Sequence, residues 1–409
     1  MRFVEIKETE YEKYWESHPL KTFLSSPDIG KLREKNKWQV NYVAVKDKNK
    51  ILCATMLVSI IKKFGKREYY SPRGFLIDFH DKELLDFFVR ELKNYIKKNN
   101  GYVLRIDPYL IYKERDIDGN IVDGGEDNSN VVKHLQNLGF KKVNISNLEQ
   151  VGWMFSLDLE GKTEEQIMME MRQNTRNTIK KASKIGIEIK ELEYDELQRF
   201  QDIIVETGER RKFPIRKLSY YQDMYNLLHA KGQIKYLVTE LNLDKYIERL
   251  QNEKKDKEEE LSGLRDTRHN AGKKKTLLED IEVFNKRIME AEKIKEESGK
   301  NVITMSGAMF IMIKPEVLYL FSGNYIKYMQ FNSQYLIQWE MIRYGIANGF
   351  KKYNFYGIPA NINKKPEDYG VYEFKKGFNG YVEELIGEFE LPISPLYYVL
   401  KLIRKFRKK

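Results

Sequence analysis

Apolar residues follow two spacings along this chain, and the two alternate in blocks. Residues 11–37 are polar with helical periodicity, and two apolar runs at 40–45 and 52–61 follow, joined by the turn DKNK. A third run, 68–77, leads through Asp81 into KELLDFFVRELKNYIKKNN, where Leu84, Leu85, Phe88, Leu92 and Ile96 recur at helical spacing. Gly101 stops that helix, YVLRIDP reads as a buried strand ended by Pro108, and VVKHLQNLGF is a short helix closed by Gly139.

The second half repeats the order. Residues 195–231 are helical in pattern, 234–240, 303–313 and 316–322 read as strands, and NSQYLIQWEMIRYGIANGF is a helix. The strand KKYNFYGI and the short segment VYEFKKGF complete the copy. Helix, antiparallel strands, helix, strand, short helix and strand, twice over, predict an α+β fold: a tandem pair of N-acetyltransferase-like domains. The expected division is 1–150 with 381–409, then 151–243 with 301–380, and an insert at 244–300.

The insert takes the place of DKNK between two strands. Ile247, Leu250, Leu261 and Leu264, with Lys254 and Lys257 between them, keep a spacing of three and four, as do Leu277, Ile281, Phe284, Ile288 and Ala291. Two heptad-patterned helices about the polar break DTRHNAG make an antiparallel helical hairpin. Its mixed charges fit a solvated arm and fit equally an arm that contacts a bulky polyanion.

Charge and composition narrow the chemistry. Lys and Arg outnumber Asp and Glu by 72 to 61, a net +11, which favours polyanionic partners; the last nine residues, KLIRKFRKK, carry six positive charges. The single Cys53 excludes an intrachain disulfide and a cysteine-based zinc site, and His18, His80, His134, His229 and His269 form no i,i+4 pair. No apolar leader precedes the chain's polar start and no apolar run reaches the length of a membrane span, so an intracellular, non-integral protein is expected. GxxxxGK[ST] is absent, GNIVDGG lies in a loop, and Ser306 in TMSGA lacks the GxSxG context. An acetyltransferase also needs a glycine-bearing loop to wrap a pyrophosphate, whereas these halves offer IDFHDKELL and SGNYIKYMQFNSQYL, so no acetyl-CoA site is expected.

The segments that remain are ordered and specific. SPRGFLID, LRIDPYL, TRNTIKKASKIGIEI, TGERRKFPIR, QWEMIRYGIANGFKKYNFYGI and YEFKKGFNGYVEELIGEF occur in that sequence, with the hairpin between the expected strands. Together they resemble the Fem/MurM aminoacyltransferases, which build the peptide cross-bridge of peptidoglycan, and the likeness runs over essentially the whole chain. The resemblance implies transfer of Gly, Ala or Ser from aminoacyl-tRNA to the side-chain amine of the third stem-peptide residue in a muramyl-pentapeptide precursor, lipid-linked or nucleotide-linked. It implies no cofactor and no metal. By position it assigns Asp107 to the acceptor amine and Lys375 to the oxyanion of the tetrahedral intermediate. For the precursor's phosphates it points to Arg216 and then Arg210, and to Arg33 or Lys35 in the N-terminal helix. Tyr220, read from its place after these arginines, is core or substrate-groove wall and not catalytic.

One cavity holding Asp107, Arg216 and Lys375 is therefore expected. Arg172, Arg176, Lys180, Lys181 and Lys184 in RQNTRNTIKKASKIG fall at helical spacing and are either structural or tRNA-facing. In the tail, Leu396, Val399, Leu400, Ile403 and Phe406 are expected on one face of a basic amphipathic helix, peripheral to the inner face of the cytoplasmic membrane. A non-catalytic, RNA-binding pair of degenerate acetyltransferase domains is the alternative.

Overall fold

The computed structural model describes residues 1–144, 148–360 and 366–407. Two mixed sheets carry the chain. The first uses β1 (Arg2–Ile6), β2 (Gln39–Asp47), β3 (Lys50–Ile61), β4 (Arg67–Ser71) and β5 (Gly101–Ile106) in that spatial order. The second contains β6 (Ile111–Glu114), β8 (Trp153–Asp158), β9 (Ile187–Glu191), β10 (Ile234–Asn242), β11 (Val302–Ile313), β12 (Glu316–Asn324), β13 (Lys352–Gly357) and β14 (Tyr381–Leu385). The short strands β7 (Lys141–Lys142) and β15 (Phe389–Pro392) close the far edge of the first sheet beyond β5.

The predicted duplication is visible in the pairing. β2, β3 and β4 are antiparallel neighbours, and β4 then pairs parallel with β5. β10, β11 and β12 repeat this, with β12 parallel to β13. Each parallel pair is joined by a crossover helix, α3 (Lys82–Lys98) and α11 (Ser333–Ala347), as parallel strands require. The Asp81 carboxylate caps α3 by accepting from Leu84 N at 3.0 Å, and Leu84, Leu85, Phe88, Leu92 and Ile96 are all buried, as their spacing predicts.

Sheet membership departs from the expected division at two places. β6, from the first half of the chain, pairs with β14 in the second sheet. β14 also pairs with β8, so residues 381–385 belong to the second sheet, and the chain returns to the first only at β15. The short, alternating strands β6 and β14 carry too little pattern to declare their partners. The halves also share one apolar cluster: Tyr11, Trp15 and Met56 of the first pack with Phe200, Tyr221, Tyr236 and Met309 of the second.

The insert forms α9 (Leu243–Ser262) and α10 (Ala271–Ser298). Its seam follows the expected register, with Leu250, Leu277 and Ala291 buried and Lys254 and Lys257 half-buried. Its root is not a separate arm, because Leu243, Tyr246, Leu250 and Ala291 share a cluster with Ile303, Met305, Tyr328 and Phe331.

The C-terminal α13 (Leu396–Arg407) corrects the expected tail face. Tyr397 and Leu400, flanked by Leu396 and Ile403, pack on Tyr102 and Val103, while Tyr398, Val399 and Leu402 are exposed. The expected stripe is thus divided between a buried side and an outer side. Lys408 and Lys409 lie outside the described residues, as do the side chains of Arg404, Lys405, Phe406 and Arg407. No helix among the described residues is long and apolar enough to cross a membrane.

Candidate active site

β5 delivers Asp107 to the C-terminal end of the parallel pair, and the turn Pro72–Gly74 after β4 closes over it. Arg73 sits in the left-handed region at φ 50°, and a Cβ on Gly74 would run into the Ser71 hydroxyl, so the sharp turn requires glycine there. The turn aims Arg73 N at Asp107 Oδ1, 2.8 Å away, and brings its guanidinium to 3.5 Å from Oδ2. The guanidinium also donates to Val151 O at 2.8 Å. Asp107 is 3% exposed beneath this cover, with a cavity of only about 10 Å³ beside it. Burial pushes its carboxyl up to about 6, against the lowering charge and backbone N–H of Arg73. Tyr70, also buried beside Asp107, has its phenol raised by burial first and by that carboxylate second.

The corresponding end of the second sheet is open. A cavity of about 520 Å³ lies between β12, β13, the start of α11, and two helices, α7 (Leu197–Arg211) and α12 (Pro366–Lys376). Lys375 reaches into it from α12, 5% exposed, and donates to Gly357 O at 2.6 Å and Tyr356 O at 3.3 Å. No carboxylate among the described residues pairs with it, and burial alone pulls its amine down to about 7. Lys376 points the other way and pairs with Asp118 at the surface. Two carbonyls face Lys375 because β13 turns abruptly at Tyr356, which has φ 63° and donates its N–H to Asn354 Oδ1 at 2.7 Å.

Tyr356 is the common neighbour of both ends. Its carbonyl accepts from Lys375, and its phenol, raised by burial, is pulled back by Arg73 and pushed up by Asp107. This turn divides the single cavity that the sequence suggests into two. Arg210 lines the Lys375 cavity, with a 3.6 Å contact to the Met329 sulfur. Arg216 lies outside it, with its guanidinium 5.3 Å from the Tyr220 ring centroid. The grouping of Arg210 with Arg216 is therefore corrected: α7 ends at Arg211, and Lys212 in the left-handed region turns the chain between them.

Tyr220 opens the helix α8 (Leu218–Leu228). Burial raises its phenol, and the charges of Arg216 and Arg33 oppose the rise, so the two guanidiniums approach it from different halves. Arg33 comes from α2 (Pro27–Lys35), 5.4 Å from the Trp38 ring, and its charge also reaches Tyr70. Lys35 is directed elsewhere, to an exposed ion pair with Asp223 at 2.6 Å that ties the halves together. The structure thus brings Arg33 and Arg216 to Tyr220, covers Asp107 beneath Arg73, and puts Lys375 and Arg210 in the open cavity.

Two residues at these ends are not evident in the sequence as participants, Tyr70 and Tyr356, whereas Arg211 stands beside Arg210 in the TGERRKFPIR segment and lines the same cavity. Arg73 shows as part of a turn in SPRGF but not as the partner of Asp107, because 34 residues separate them. For Tyr356 the only signal is its place at the end of NFYGI, before a strand that must stop.

The profile of the FemAB family matches residues 6–405. This chain belongs to the FemAB family. It is 30% identical over 423 residues to the aminoacyltransferase FemA of Staphylococcus epidermidis, covering 100% of both chains. It is equally 30% identical over 421 residues to the aminoacyltransferase FemB of the same species, covering 100% of this chain and 99% of that one. The crystal structure of FemX superposes with a TM-score of 0.75 at 23% identity, over 98% of this chain and 99% of that one. A tandem GNAT protein from the clavulanic acid biosynthesis pathway shares the fold at a TM-score of 0.51 and 9% identity, over 96% and 99% of the chains. Membership in FemAB makes the protein an aminoacyltransferase on a duplicated acetyltransferase-like fold, and it sets the non-catalytic alternative aside.

Proposed function

We propose that this FemAB protein transfers Gly, Ala or Ser from aminoacyl-tRNA to the side-chain amine of the third stem-peptide residue of a muramyl-pentapeptide precursor, building the interpeptide bridge of peptidoglycan. The observation that carries the reading is Lys375: a buried amine facing an open cavity, which among the described residues has no counterion and is held by two backbone carbonyls.

Aminolysis of an ester needs a neutral amine, a place for its proton and a charge for the oxyanion. In this reading the acceptor nitrogen attacks the ester carbonyl carbon, the carbonyl oxygen becomes the oxyanion, and the C–O bond to the ribose breaks. Lys375 is assigned to that oxyanion. A desolvated amine poised near 7 gains its proton most readily when an anion forms beside it, so stabilisation grows as the transition state is approached. Asp107 is assigned to orient the attacking amine and receive its proton, which is then released through solvent. The departing ribose oxygen takes up one proton from solvent, so that amine and ester become amide and ribose hydroxyl with no net proton change. The amine meets Asp107 only when Val151 is displaced from Arg73, since the carboxylate is covered there.

Arg33 and Arg216, whose charges both reach Tyr220 and which have no ion-pair partner among the described residues, suit the precursor's phosphates. Arg210, Arg211 and the cavity beside Lys375 suit the anionic 3′ end of the donor. The lipid-linked precursor, lipid II, is the favoured acceptor, with the exposed Tyr398, Val399 and Leu402 of the basic C-terminal helix set against the inner face of the cytoplasmic membrane. The test incubates purified protein with tRNAs charged in turn with Gly, Ala and Ser and with lipid-linked or nucleotide-linked precursor. Mass spectrometry should show one aminoacyl residue added to the stem peptide with at least one pairing. No mass gain with any pairing defeats the reading.

A further inference from the structure

The helix α6 (Gln173–Ser183) and its two flanking residues carry Arg172, Arg176, Lys180, Lys181 and Lys184 and no Asp or Glu. Its inner face is Thr175, Ile179 and Ala182, packed with Leu336 and Ile337 of α11. Successive i,i+4 steps place Arg172, Arg176, Lys180 and Lys184 along the opposite side. Among the described residues Lys180, Lys181 and Lys184 are exposed and have no ion-pair partner, whereas Arg172 pairs with Glu373 at 2.7 Å.

The hairpin, the other charged segment, is built differently. Residues 244–300 hold fifteen basic and fifteen acidic residues, so the net +11 of the chain lies entirely outside it. Its lysines are laced to neighbouring carboxylates, as in Lys254–Glu258, Lys255–Glu259, Lys275–Glu279 and Lys293–Glu297. A polyanion approaching the hairpin meets a segment of zero net charge in which, among the described residues, nine of the fifteen basic side chains are ion-paired. One approaching α6 meets the exposed ammonium groups of Lys180, Lys181 and Lys184, with no carboxylate paired to them among the described residues.

Location adds to this. At one end, Arg172 N donates to Gly377 O at 3.0 Å and its guanidinium pairs with Glu373, both in or just after the helix that carries Lys375. At the other end, Arg249 in the root of the hairpin donates to Lys184 O. The row runs about 18 Å between them, at 1.5 Å per helical residue. The exposed residues between the cations are Gln173, Asn174, Asn177 and Ser183, which can hydrogen-bond phosphate and ribose but offer nothing apolar to insert into a bilayer.

We infer that α6 is a phosphate-backbone track for RNA, leading from the Lys375 cavity toward the hairpin root, and that the hairpin itself supplies little of the electrostatic contact. The inference rests on the donor being a tRNA. Counterion release gives a readout that a structural role would not move: log K falls with log salt by about 0.7–0.9 for each phosphate contact.

The experiment measures the binding of uncharged tRNA over a range of salt concentrations. It compares wild type, the triple variant Lys180→Gln/Lys181→Gln/Lys184→Gln, and the hairpin control Lys255→Gln/Lys275→Gln/Lys293→Gln. The α6 variant should lose about two units of salt slope, the control none, and the acceptor KM should stay at the wild-type value in both. An unchanged slope in the α6 variant, or an equal loss in the control, overturns the inference while leaving the tRNA donor intact. A wild-type protein that binds no tRNA overturns both.

Discussion

The two sheets end their parallel strand pairs in opposite ways. In the first sheet the space beyond β5 is filled: Arg73 and Val151 close over Asp107 and leave about 10 Å³. In the second the space beyond β13 is a cavity of about 520 Å³, and among the described residues its buried amine, Lys375, pairs with no carboxylate. The same topology therefore presents a covered acid and an uncovered amine, separated by the turn at Tyr356. Burial destabilises the charged form of each, so Asp107 is raised and Lys375 lowered, and their proton affinities approach each other near neutrality. Groups perturbed by burial at the edge of a cleft are candidates for acid–base chemistry, which is the role proposed for both.

The largest effect that tests the contrast is the loss of the uncovered amine. Lys375→Met should lower kcat by about 10²–10³, the usual cost of one oxyanion contact. It should also raise Tm at neutral pH. The folded-state affinity of the amine lies below its unfolded value of 10.5, so the penalty for burying it appears as pH falls below that value, and methionine removes the penalty. Lys376→Met, at the surface pair with Asp118, should leave kcat within a few-fold. Near wild-type activity in Lys375→Met with inactivity in Lys376→Met would reverse the assignment of the two lysines.

Much of this arrangement was legible in the chain before folding. The 3.6-residue spacing of Leu84, Phe88 and Leu92 and the apolar runs that became β3, β10 and β11 carry strong local signals. The heptads of the hairpin did too, down to Lys254 and Lys257 in the seam. The exchange of β6 and β14 into the second sheet was not legible, because the pairing of these short strands joins residues more than 200 positions apart. For the proposed site, short motifs drew attention to Asp107 and Lys375, but not to the turn that lies between them. That turn follows from a backbone angle at Tyr356, and the parting of Arg210 from Arg216 from one at Lys212, where side-chain pattern carries no information. Arg33 and Lys35 illustrate the same limit. Two residues apart in one helix, they face different partners, and only the position of α8 beside α2 decides which meets Tyr220.

A second test separates the arginines at Tyr220 from the Lys375 cavity by substrate. Arg216→Ala and Arg33→Ala should each raise the acceptor KM about 10–100-fold, the equivalent of one charge-assisted phosphate contact at roughly 1.5–3 kcal/mol. Arg210→Ala, in that cavity, should instead raise the KM for charged tRNA. Lys35→Ala should change neither, since its exposed pair with Asp223 is worth at most about 1 kcal/mol of stability. Equal effects of Arg216→Ala and Arg210→Ala on both substrates would mean that the two act as one pocket.

The smallest effect concerns the covered end, where pH is the probe. Asp107 as a carboxylate and Lys375 as a cation together require activity to rise with pH through about 6 and to fall above about 7. Arg73 opposes the burial that raises Asp107, so Arg73→Gln should move the acidic limb upward by about one unit, worth about 1.4 kcal/mol, and leave the basic limb in place. The backbone N–H of residue 73 still holds Oδ1 in that variant, which keeps the geometry of the turn. Tyr70→Phe removes a second lowering influence on the same carboxyl and should move the limb in the same direction by less. Stability supplies an independent sign. A carboxyl whose folded affinity exceeds its unfolded value of 3.8 stabilises the fold below that pH and loses this contribution as pH rises through about 6. Asp107→Asn should therefore melt above wild type at neutral pH, with the difference vanishing in acid. An acidic limb that stays near 6 in Arg73→Gln, together with no gain in Tm for Asp107→Asn, would assign the titration to another group and leave Asp107 as a cap on the turn at Arg73.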